Sequence, residues 1–379
     1  MPIITPPTVV QNAMEEFIAN FFTNQPQRDH VANYLTGLMI CPNKTITGMT
    51  SEQPNASDQS CLNPPNHQTT QMTEVDWDAQ KLNEERIKWL QNFDDMKFHE
   101  RGIIPLDDVL IESIVALVAP SGKYIKDSGK FWDHSDNRYM HAQDLIIINY
   151  VHPTSRKHYP LEFRRFKKAE QCQWTGEEFK KMTQLSIELI DWCHEQGVLG
   201  TFTFDSFYSS TEILNHIDSL KNADGTNRGY VSDLKFNRKV TFKGIEQSVE
   251  QFAKTIPPAD RKQVITSDGT KQWYLSVCVK MGDVGHKVRV VILWRYKNDV
   301  EPRKILVTNR IHWSVCLSCL LAGGPERIVE MFACPGSDRR AYRGRWTGTE
   351  TRCFNNTYRD GKQAVFSIRE EGAASEIVS

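Results

Sequence analysis

The stretch at residues 145–152 constrains the fold of this chain more than any other. It reads Leu-Ile-Ile-Ile-Asn-Tyr-Val-His, a run of β-branched and apolar residues that is typical of a buried strand. Residues 153–157 predict a turn, and residues 159–163 predict the strand that returns beside the first one. The chain is therefore expected to contain a buried sheet, and the neighbouring segments decide its class.

The segments around this hairpin alternate between strand and helix. Residues 175–196 predict a long amphipathic helix, which Thr175 caps, with Glu178 in the capping-box position and Gly197 at the end. The order strand, strand, strand, helix, strand, helix, strand is that of an α/β domain with one sheet. The strands are predicted at residues 102–108, 145–152, 159–163, 199–204 and 230–234, and the second helix at 210–221.

The first hundred residues are predicted to form a helical N-terminal region. Apolar residues at helical spacing recur in three segments, and the polar stretch at 50–73 predicts a loop. Residues 45–49 and 57–62 resemble a degenerate helix-turn-helix that would bind DNA, although plain helix packing explains the same pattern. The three helices are predicted at residues 14–22, 28–39 and 77–93.

The chain changes character again after residue 239. Residues 240–312 are rich in β-forming residues, and residues 313–379 return to helical spacing from about Arg339. The sequence therefore predicts four parts: a helical region at 1–100, the α/β segment at 101–239, and the two segments just named. Strands in the β-rich part are predicted at residues 273–279, 288–296 and 304–308.

Two of the predicted strands end in aspartate, at Asp107 and Asp205. Open α/β sheets bind ligands at the carboxyl ends of their strands, and two carboxylates there repel each other unless they share a divalent cation. A third carboxylate would complete a site for two Mg²⁺ ions, with Mn²⁺ as a substitute, the arrangement used to cleave phosphodiesters. Taken alone, an aspartate at a strand end is more often a turn former or a helix cap.

The candidate for the third carboxylate is Glu350. Tyr342, Arg345, Thr349 and Glu350 are spaced so that they share one face of a helix. That face would present a phenol, a guanidinium and a carboxylate together. The alternative is that Glu350 is an ion-pair partner in a basic helix.

The net charge of −1 hides an uneven distribution. Residues 1–112 carry 7 lysines and arginines against 16 acidic residues, whereas the rest of the chain carries 39 against 31. Aromatic residues interleave the basic clusters, which suits a surface that binds phosphates, although a solvated basic face is the alternative for each one. The clusters are Arg164, Arg165, Lys167 and Lys168; Lys235, Arg238, Lys239 and Lys243; and Arg339, Arg340, Arg343 and Arg345.

The composition indicates a folded protein in the cytoplasm. The apolar fraction is 39%, no apolar run reaches the roughly 18 residues that a membrane span needs, and the N-terminus lacks a signal pattern. Nine irregularly spaced cysteines fit reduced thiols better than a disulfide framework. We therefore expect no membrane partner.

Several motifs together resemble a known family. Residues 342–350, with Arg-Asp-Gly-Lys-Gln at 359–363, are similar to the Tyr-x₂-Arg…Glu-x₆-Lys signature of the DDE-type transposases of bacterial insertion sequences. Further blocks look like those of one branch of that group, and together the matches span roughly residues 28–363. These blocks are residues 106–111, 131–134, 203–208, 234–238 and 305–310.

This resemblance implies an RNase H-like catalytic core with a β-rich insertion at 240–312, preceded by a helical N-terminal domain. It places the metal on Asp107, Asp205 and Glu350, with Asp108 as the rival of Asp107. It also implies double-stranded DNA partners, namely the terminal inverted repeats and target DNA, a homodimer in the synaptic complex, and a place at the bacterial nucleoid. The residues expected to contact DNA are Tyr342, Arg345, Lys362, Lys235 and Arg238.

The chain departs from the family pattern at Lys362, which lies twelve residues after Glu350 instead of seven. On a continuous helix this spacing turns the lysine roughly 120° away from the glutamate. One alternative is therefore a catalytically impaired transposase remnant that at most binds DNA. A second is an RNase H-like nuclease of the host, which would not need Tyr342 and Arg345.

Three weaker patterns have structural alternatives. A tryptophan of the insertion stacks a flipped base in relatives, and Trp273 and Trp294 are the candidates here, with core packing as the other role. Cys316 and Cys319 have the spacing of a zinc half-site, but no paired second motif follows. His134 and His141 could bind a metal or belong to a hydrogen-bonded cluster.

Overall fold

The computed structural model describes residues 6–22, 24–42, 78–112, 127–133, 136–265 and 271–313. The chain divides into two compact units between Trp89 and Leu90. Several predicted features lie outside the described residues. These are the loop at 50–73, the helix-turn-helix at 45–62, His134, the cysteine pair at 316–319, and Tyr342, Arg345, Glu350 and Lys362.

The first unit is helical, as predicted for this region. Its helices are α1 (Thr8–Glu16), α2 (Gln25–Ile40) and α3 (Ala79–Leu90), with a 3-10 turn at Ile18–Phe21. Asn24 caps α2, because its side chain accepts the Gln27 amide. An apolar cluster joins these helices through Val10, Met14, Phe17, Ile18, Leu82 and Trp89.

The second unit is built on one large sheet. Within the described residues ten strands join this sheet, and β7 and β8 form a separate hairpin. The strands are β1 (Ile103–Glu112), β2 (Gly129–Asp133), β3 (Arg138–Val151), β4 (His158–Phe166), β5 (Thr201–Phe204), β6 (Gly229–Asp233), β7 (Lys239–Phe242), β8 (Ile245–Ser248), β9 (Lys262–Ile265), β10 (Lys271–Val279), β11 (Val288–Trp294) and β12 (Lys304–Thr308). The helices are α4 (Ala169–Thr175), α5 (Met182–Glu195), α6 (Thr211–Ser219) and α7 (Val249–Lys254).

The strand order identifies the core of this unit. Strand β3 pairs antiparallel with β1 and with β4, whereas β5 pairs parallel with β1, and β6 pairs parallel with β5. Helices α5 and α6 lie in the two connections that these parallel strands require. Three antiparallel strands followed by two strands parallel to the first is the arrangement of an RNase H-like core, which the sequence predicted.

The β-rich segment continues the same sheet. Strand β12 pairs antiparallel with β6, and β11, β10 and β9 follow in order. The strand predicted at residues 145–152 lies within β3 up to its end at Val151, and its Ile146, Ile148 and Tyr150 are fully buried. Among the described residues no helix is both long and apolar enough to cross a membrane.

The long helix predicted at residues 175–196 is wrong in its first third. Helix α4 ends at Thr175, and Gly176 follows in the left-handed conformation with φ of +71°. Left-handed glycine is a common helix terminator, so the chain leaves the helical path there and α5 begins only at Met182. Thr175 is not a cap of α5, since its hydroxyl donates to the Gln171 carbonyl at 3.2 Å.

A hydrogen-bonded network around His286 connects the parallel strands to the antiparallel extension. Its Nδ1 lies 3.2 Å from Asp218 Oδ2, and its Nε2 lies 2.9 Å from the Tyr230 hydroxyl. The Asn309 amide donates to Asp218 Oδ1 at 2.8 Å. Because a carboxylate only accepts, Nδ1 of the neutral ring carries the proton and Nε2 accepts from Tyr230.

We expect the free energy of unfolding to decrease as the pH falls below about 6.5. Burial lowers the pKa of His286 below its ordinary value of 6.5, so the unfolded chain takes up the proton first. The unfolded state then binds more protons than the folded state, and stability is lost with falling pH. Urea unfolding of wild type and His286→Gln at several pH values tests this, because the variant should show a shallower pH dependence. An unchanged pH dependence in the variant would contradict the assignment.

Candidate active site at the ends of the parallel strands

Three carboxylates lie side by side where the parallel strands end. The register pairs Leu106 of β1 with Phe204 of β5, and Phe204 with Ser232 of β6. One residue further along each strand are Asp107, Asp205 and Asp233. Residues in register on parallel strands point to the same face, so these three side chains form a row, which we call the carboxylate row.

The electrostatics of the carboxylate row agree with this placement. Burial, together with smaller effects of the negative charges of Asp108 and Asp205, raises the pKa of Asp107 to about 6. Burial also raises the pKa of Asp233, to which the charge of Asp205 adds. The carboxylates are therefore close enough to repel one another, and Asp205 lies between the other two.

Asp107 does not end its strand, contrary to the prediction. Strand β1 continues to Glu112, because β3 is long enough to pair with the whole of β1, ending at Glu112 and Ala142. The shorter β5 pairs with β1 only as far as Leu106, so Asp107 stands where the parallel pairing stops. Its side chain is half-buried, whereas Asp205 is exposed.

Asp108 points away from the carboxylate row. Adjacent residues of a strand face opposite sides of the sheet, so Asp107 and Asp108 cannot both join the row. The Asp108 carboxylate accepts the Tyr208 hydroxyl at 2.8 Å. On the same face, burial and the charge of Asp108 raise the pKa of Asp144 to about 7. The geometry therefore brings Asp107, rather than Asp108, beside Asp205.

Asp205 is held by a turn that its own side chain forms. Its Oδ1 accepts the Phe207 amide at 2.8 Å and the Tyr208 amide at 3.4 Å. Aspartate favours such turns because its short side chain reaches the amide two residues ahead. Asp205 thus has the turn-forming role that was the alternative interpretation of this residue. Both amides bond to Oδ1, and neither bonds to Oδ2.

Asp233 was not recognised in the sequence. It ends β6 and forms an ion pair with Lys304 of β12, with Nζ 3.1 Å from Oδ1. The signal was present, since Val-Ser-Asp at 231–233 repeats the apolar strand followed by acid that Thr-Phe-Asp shows at 203–205. What the sequence lacked was the register that makes these two aspartates neighbours.

The basic cluster that follows β6 contacts residues that come shortly after Asp205 in the chain. Lys235 Nζ is 5.9 Å from the centroid of the Phe207 ring, and Arg238 donates to the Thr211 hydroxyl at 3.1 Å. Neither side chain is within ion-pair distance of a carboxylate in the described part of the chain. Both positive charges are thus available to a negatively charged ligand.

The basic cluster at residues 164–168 is different, because its own carboxylates neutralise it. Arg164 lies 3.4 Å from Glu162 and 3.7 Å from Glu188. Arg165 and Lys167 both pair with Asp127, at 3.4 and 3.0 Å. The phosphate-binding surface predicted here is therefore not supported.

The remaining predicted residues contribute less to the site. Trp294 is fully buried beneath the Arg261 guanidinium, 4.1 Å from its ring centroid, so it packs in the core. Trp273 is half-buried and has Lys297 Nζ 5.2 Å from its ring. Across residues 6–313, where described, no three histidine, cysteine, aspartate or glutamate side chains are gathered closely enough to hold a metal ion. Glu350, the third predicted ligand, lies outside this part.

No family model and no curated protein matches the chain. Two solved structures resemble it at 10% sequence identity and a TM-score of 0.27. The Drosophila P element transposase strand transfer complex matches over 65% of this chain and 52% of that one, so this chain spans about half of it. Human ENDOV matches over 66% of this chain and 92% of its own. At this TM-score the likeness carries no argument, and the fold assignment rests on strand order and pairing.

Proposed function

We propose that this chain is a metal-dependent DNA transposase that cleaves and joins strands at the ends of an insertion sequence. The observation that supports this most is the position of Asp107 beside Asp205, at the point where two parallel strands of an RNase H-like sheet stop pairing. Paired carboxylates at the carboxyl ends of strands suit the binding of divalent cations and the hydrolysis of phosphodiesters.

Asp107 and Asp205 suit Mg²⁺, although the described residues do not complete a metal site without a third ligand. Carboxylate oxygens are the ligands that Mg²⁺ prefers, and the raised pKa of Asp107 reflects burial and repulsion that a cation would relieve. Asp107 and Asp205 would hold the ions, with Glu350 as the third ligand expected from the family signature. When bound, such ions activate water and stabilise the charge on the leaving oxygen.

The chain's own side chains would bind and orient the DNA. Lys235 and Arg238 would contact backbone phosphates near the carboxylate row, because they contact Phe207 and Thr211, which follow Asp205 in the chain. Tyr342, Arg345 and Lys362 would hold phosphates near the transposon end, as the signature implies. The DNA would be the terminal inverted repeats and the target, bound by a homodimer on the bacterial nucleoid in the cytoplasm.

We expect DNA cleavage by the purified chain to require Mg²⁺ or Mn²⁺. The substrate is a supercoiled plasmid that carries the DNA flanking the coding sequence on both sides. Added EDTA should abolish nicking and double-strand cleavage, and excess Mg²⁺ or Mn²⁺ should restore both, since the carboxylates alone do not activate water. Cleavage that survives chelation would refute the metal-dependent mechanism.

The second candidate is a catalytically impaired transposase that binds DNA. The observation that favours it is the spacing of twelve residues between Glu350 and Lys362, where the family has seven. Both candidates bind the flanking DNA, but only the first cleaves it. If the wild-type chain binds the flanking DNA but does not cleave it, the second candidate function predicts that deletion of residues 352–356 restores cleavage.

A further inference from the structure

An exposed aromatic ring belongs to the turn that Asp205 forms. Phe207 is 49% exposed although it is only two residues from Asp205, and Phe236 on the neighbouring turn is 41% exposed. Large apolar side chains exposed beside a polar site are more informative than scattered ones, because they mark ligand-binding surfaces. Lys235 Nζ lies 5.9 Å from the Phe207 ring centroid, which joins the two turns.

The turn that carries Phe207 is fixed before any ligand binds. The Phe207 amide donates to Asp205 Oδ1 at 2.8 Å, and the Ser209 hydroxyl donates to the Ser206 carbonyl at 2.9 Å. Tyr208, the next residue, is fully buried and anchors the turn in the core. A ring held this way loses little conformational entropy when a flat ligand covers it.

The turn that carries Lys235 is fixed as well. The Leu234 amide donates to the Ile305 carbonyl at 2.9 Å, which ties the start of the turn to β12. The Glu250 amide donates to the Phe236 carbonyl at 3.1 Å, and the Val249 amide donates to the Arg238 carbonyl at 2.8 Å. The main chain that carries Phe207 and the main chain that carries Lys235 are therefore both fixed in the absence of a ligand.

The charges of this surface indicate what binds to it. Lys235 and Arg238 offer positive charge without a neutralising carboxylate in the described residues, whereas the cluster at 164–168 is paired with its own acids. A purely apolar partner would gain nothing from these cations. A nucleotide matches both features, since its base stacks on an aromatic ring and its phosphate binds an ammonium group.

We propose that Phe207 and Lys235 bind one unpaired nucleotide of the DNA strand next to the scissile phosphate. The base stacks on the Phe207 ring and the phosphate lies at the Lys235 ammonium. The nucleotide is unpaired because a base inside a duplex is already stacked on both faces, so neither face is free to stack on the Phe207 ring. This inference rests on the proposed function, which supplies DNA as the substrate.

The test is the affinity of the full chain for a fluorescent oligothymidine strand and for a blunt duplex of the same length, in EDTA so that no cleavage occurs. Phe207→Ala should weaken binding of the single strand roughly 5- to 150-fold, the range for loss of one stacked base. The same variant should change duplex binding much less. Phe207→Trp should bind the single strand as tightly as wild type, which separates loss of the ring from loss of folding.

A matched control is available in Tyr296. This residue is also an exposed aromatic with a cation over its ring, Arg295 Cζ at 5.4 Å, but it belongs to the loop after β11. Tyr296→Ala should leave both affinities unchanged. Lys235→Ala should reduce the salt dependence of single-strand binding by about one unit of slope or slightly less.

The outcomes separate this inference from the proposed function. Unchanged single-strand affinity in Phe207→Ala overturns the inference, even if the wild-type chain cleaves DNA with Mg²⁺. Equal weakening for single strand and duplex also overturns it, because the ring would then not select unpaired bases. A selective loss in Phe207→Ala supports it, even if the wild-type chain proves unable to cleave.

Discussion

Replacing Asp205 by asparagine should reduce DNA cleavage by at least roughly 1,000-fold, because the lost metal contact removes several kcal/mol of transition-state stabilisation. Asparagine keeps an acceptor oxygen in the same place, so the Phe207 amide retains its hydrogen bond and the turn is preserved. Binding of the flanking DNA should be unchanged or slightly stronger, since a negative charge near the phosphates is removed. Plasmid cleavage and fluorescence anisotropy measure the two effects.

The asparagine variant is a sharper test than alanine. Asp205→Ala removes both the charge and the turn-forming acceptor, so a loss of activity could come from either. The control is Asp224→Asn, because Asp224 is another exposed aspartate whose Oδ1 accepts the amide two residues ahead, that of Thr226 at 2.9 Å. That variant should cleave as wild type does. Cleavage by Asp205→Asn at the wild-type rate would remove Asp205 from the active site.

Replacing Gly200 by alanine should lower the free energy of unfolding by about 3 kcal/mol, at the upper end for strained backbone positions. Gly200 has φ of +132°, a conformation that residues with a side chain rarely adopt. A Cβ there would lie 2.6 Å from the Gly102 carbonyl oxygen and 2.8 Å from its carbon. Both are backbone atoms of Gly102, the residue just before β1, and a backbone atom cannot rotate away as the end of a flexible side chain can.

The close approach at Gly200 also sets the register of the site. The next residue, Thr201, donates its amide to the Gly102 carbonyl at 2.9 Å, which is where β5 begins to pair with β1. Asp107 lies five residues after Gly102, and Asp205 lies five residues after Gly200 in the same register. We therefore expect Gly200→Ala to reduce cleavage beyond what partial unfolding explains, because the two carboxylates would lose their alignment.

Gly197→Ala is the matched control for this prediction. Gly197 also has a positive φ, of +68°, but no atom lies within 4 Å of the Cβ position. The substitution should therefore cost only about 1 kcal/mol, the usual penalty of the left-handed conformation for a residue with a side chain. Urea denaturation of both variants measures the difference. Equal destabilisation by the two substitutions would mean that the contact with Gly102 does not matter.

The sequence predicted the RNase H-like core well, and the reasons are local. Residues 145–152 and 304–308 are dense in β-branched residues, and both lie in strands of the sheet. The helix predicted at residues 14–22 was misplaced, since α1 runs from Thr8 to Glu16 and a 3-10 turn follows it. The failure at residues 175–181 came from treating Gly176 as part of a continuous amphipathic pattern. Its left-handed backbone ended the helix, and the seven-residue α4 that precedes it was not foreseen.

The sequence by itself determined which kinds of residue follow one another along the chain. It gives an acidic residue after each of two strands, a basic segment after β6 and a stretch of β-forming residues beyond that segment. These follow from composition and periodicity, which are properties of neighbouring residues. Only the tertiary structure placed Asp107 rather than Asp108 beside Asp205, added Asp233 to the carboxylate row and paired the cluster at 164–168 with Asp127 and Glu188. Those outcomes depend on strand register and on contacts between residues far apart in the chain. A shift of one residue in the register would reverse the face of every side chain, so local pattern cannot fix them.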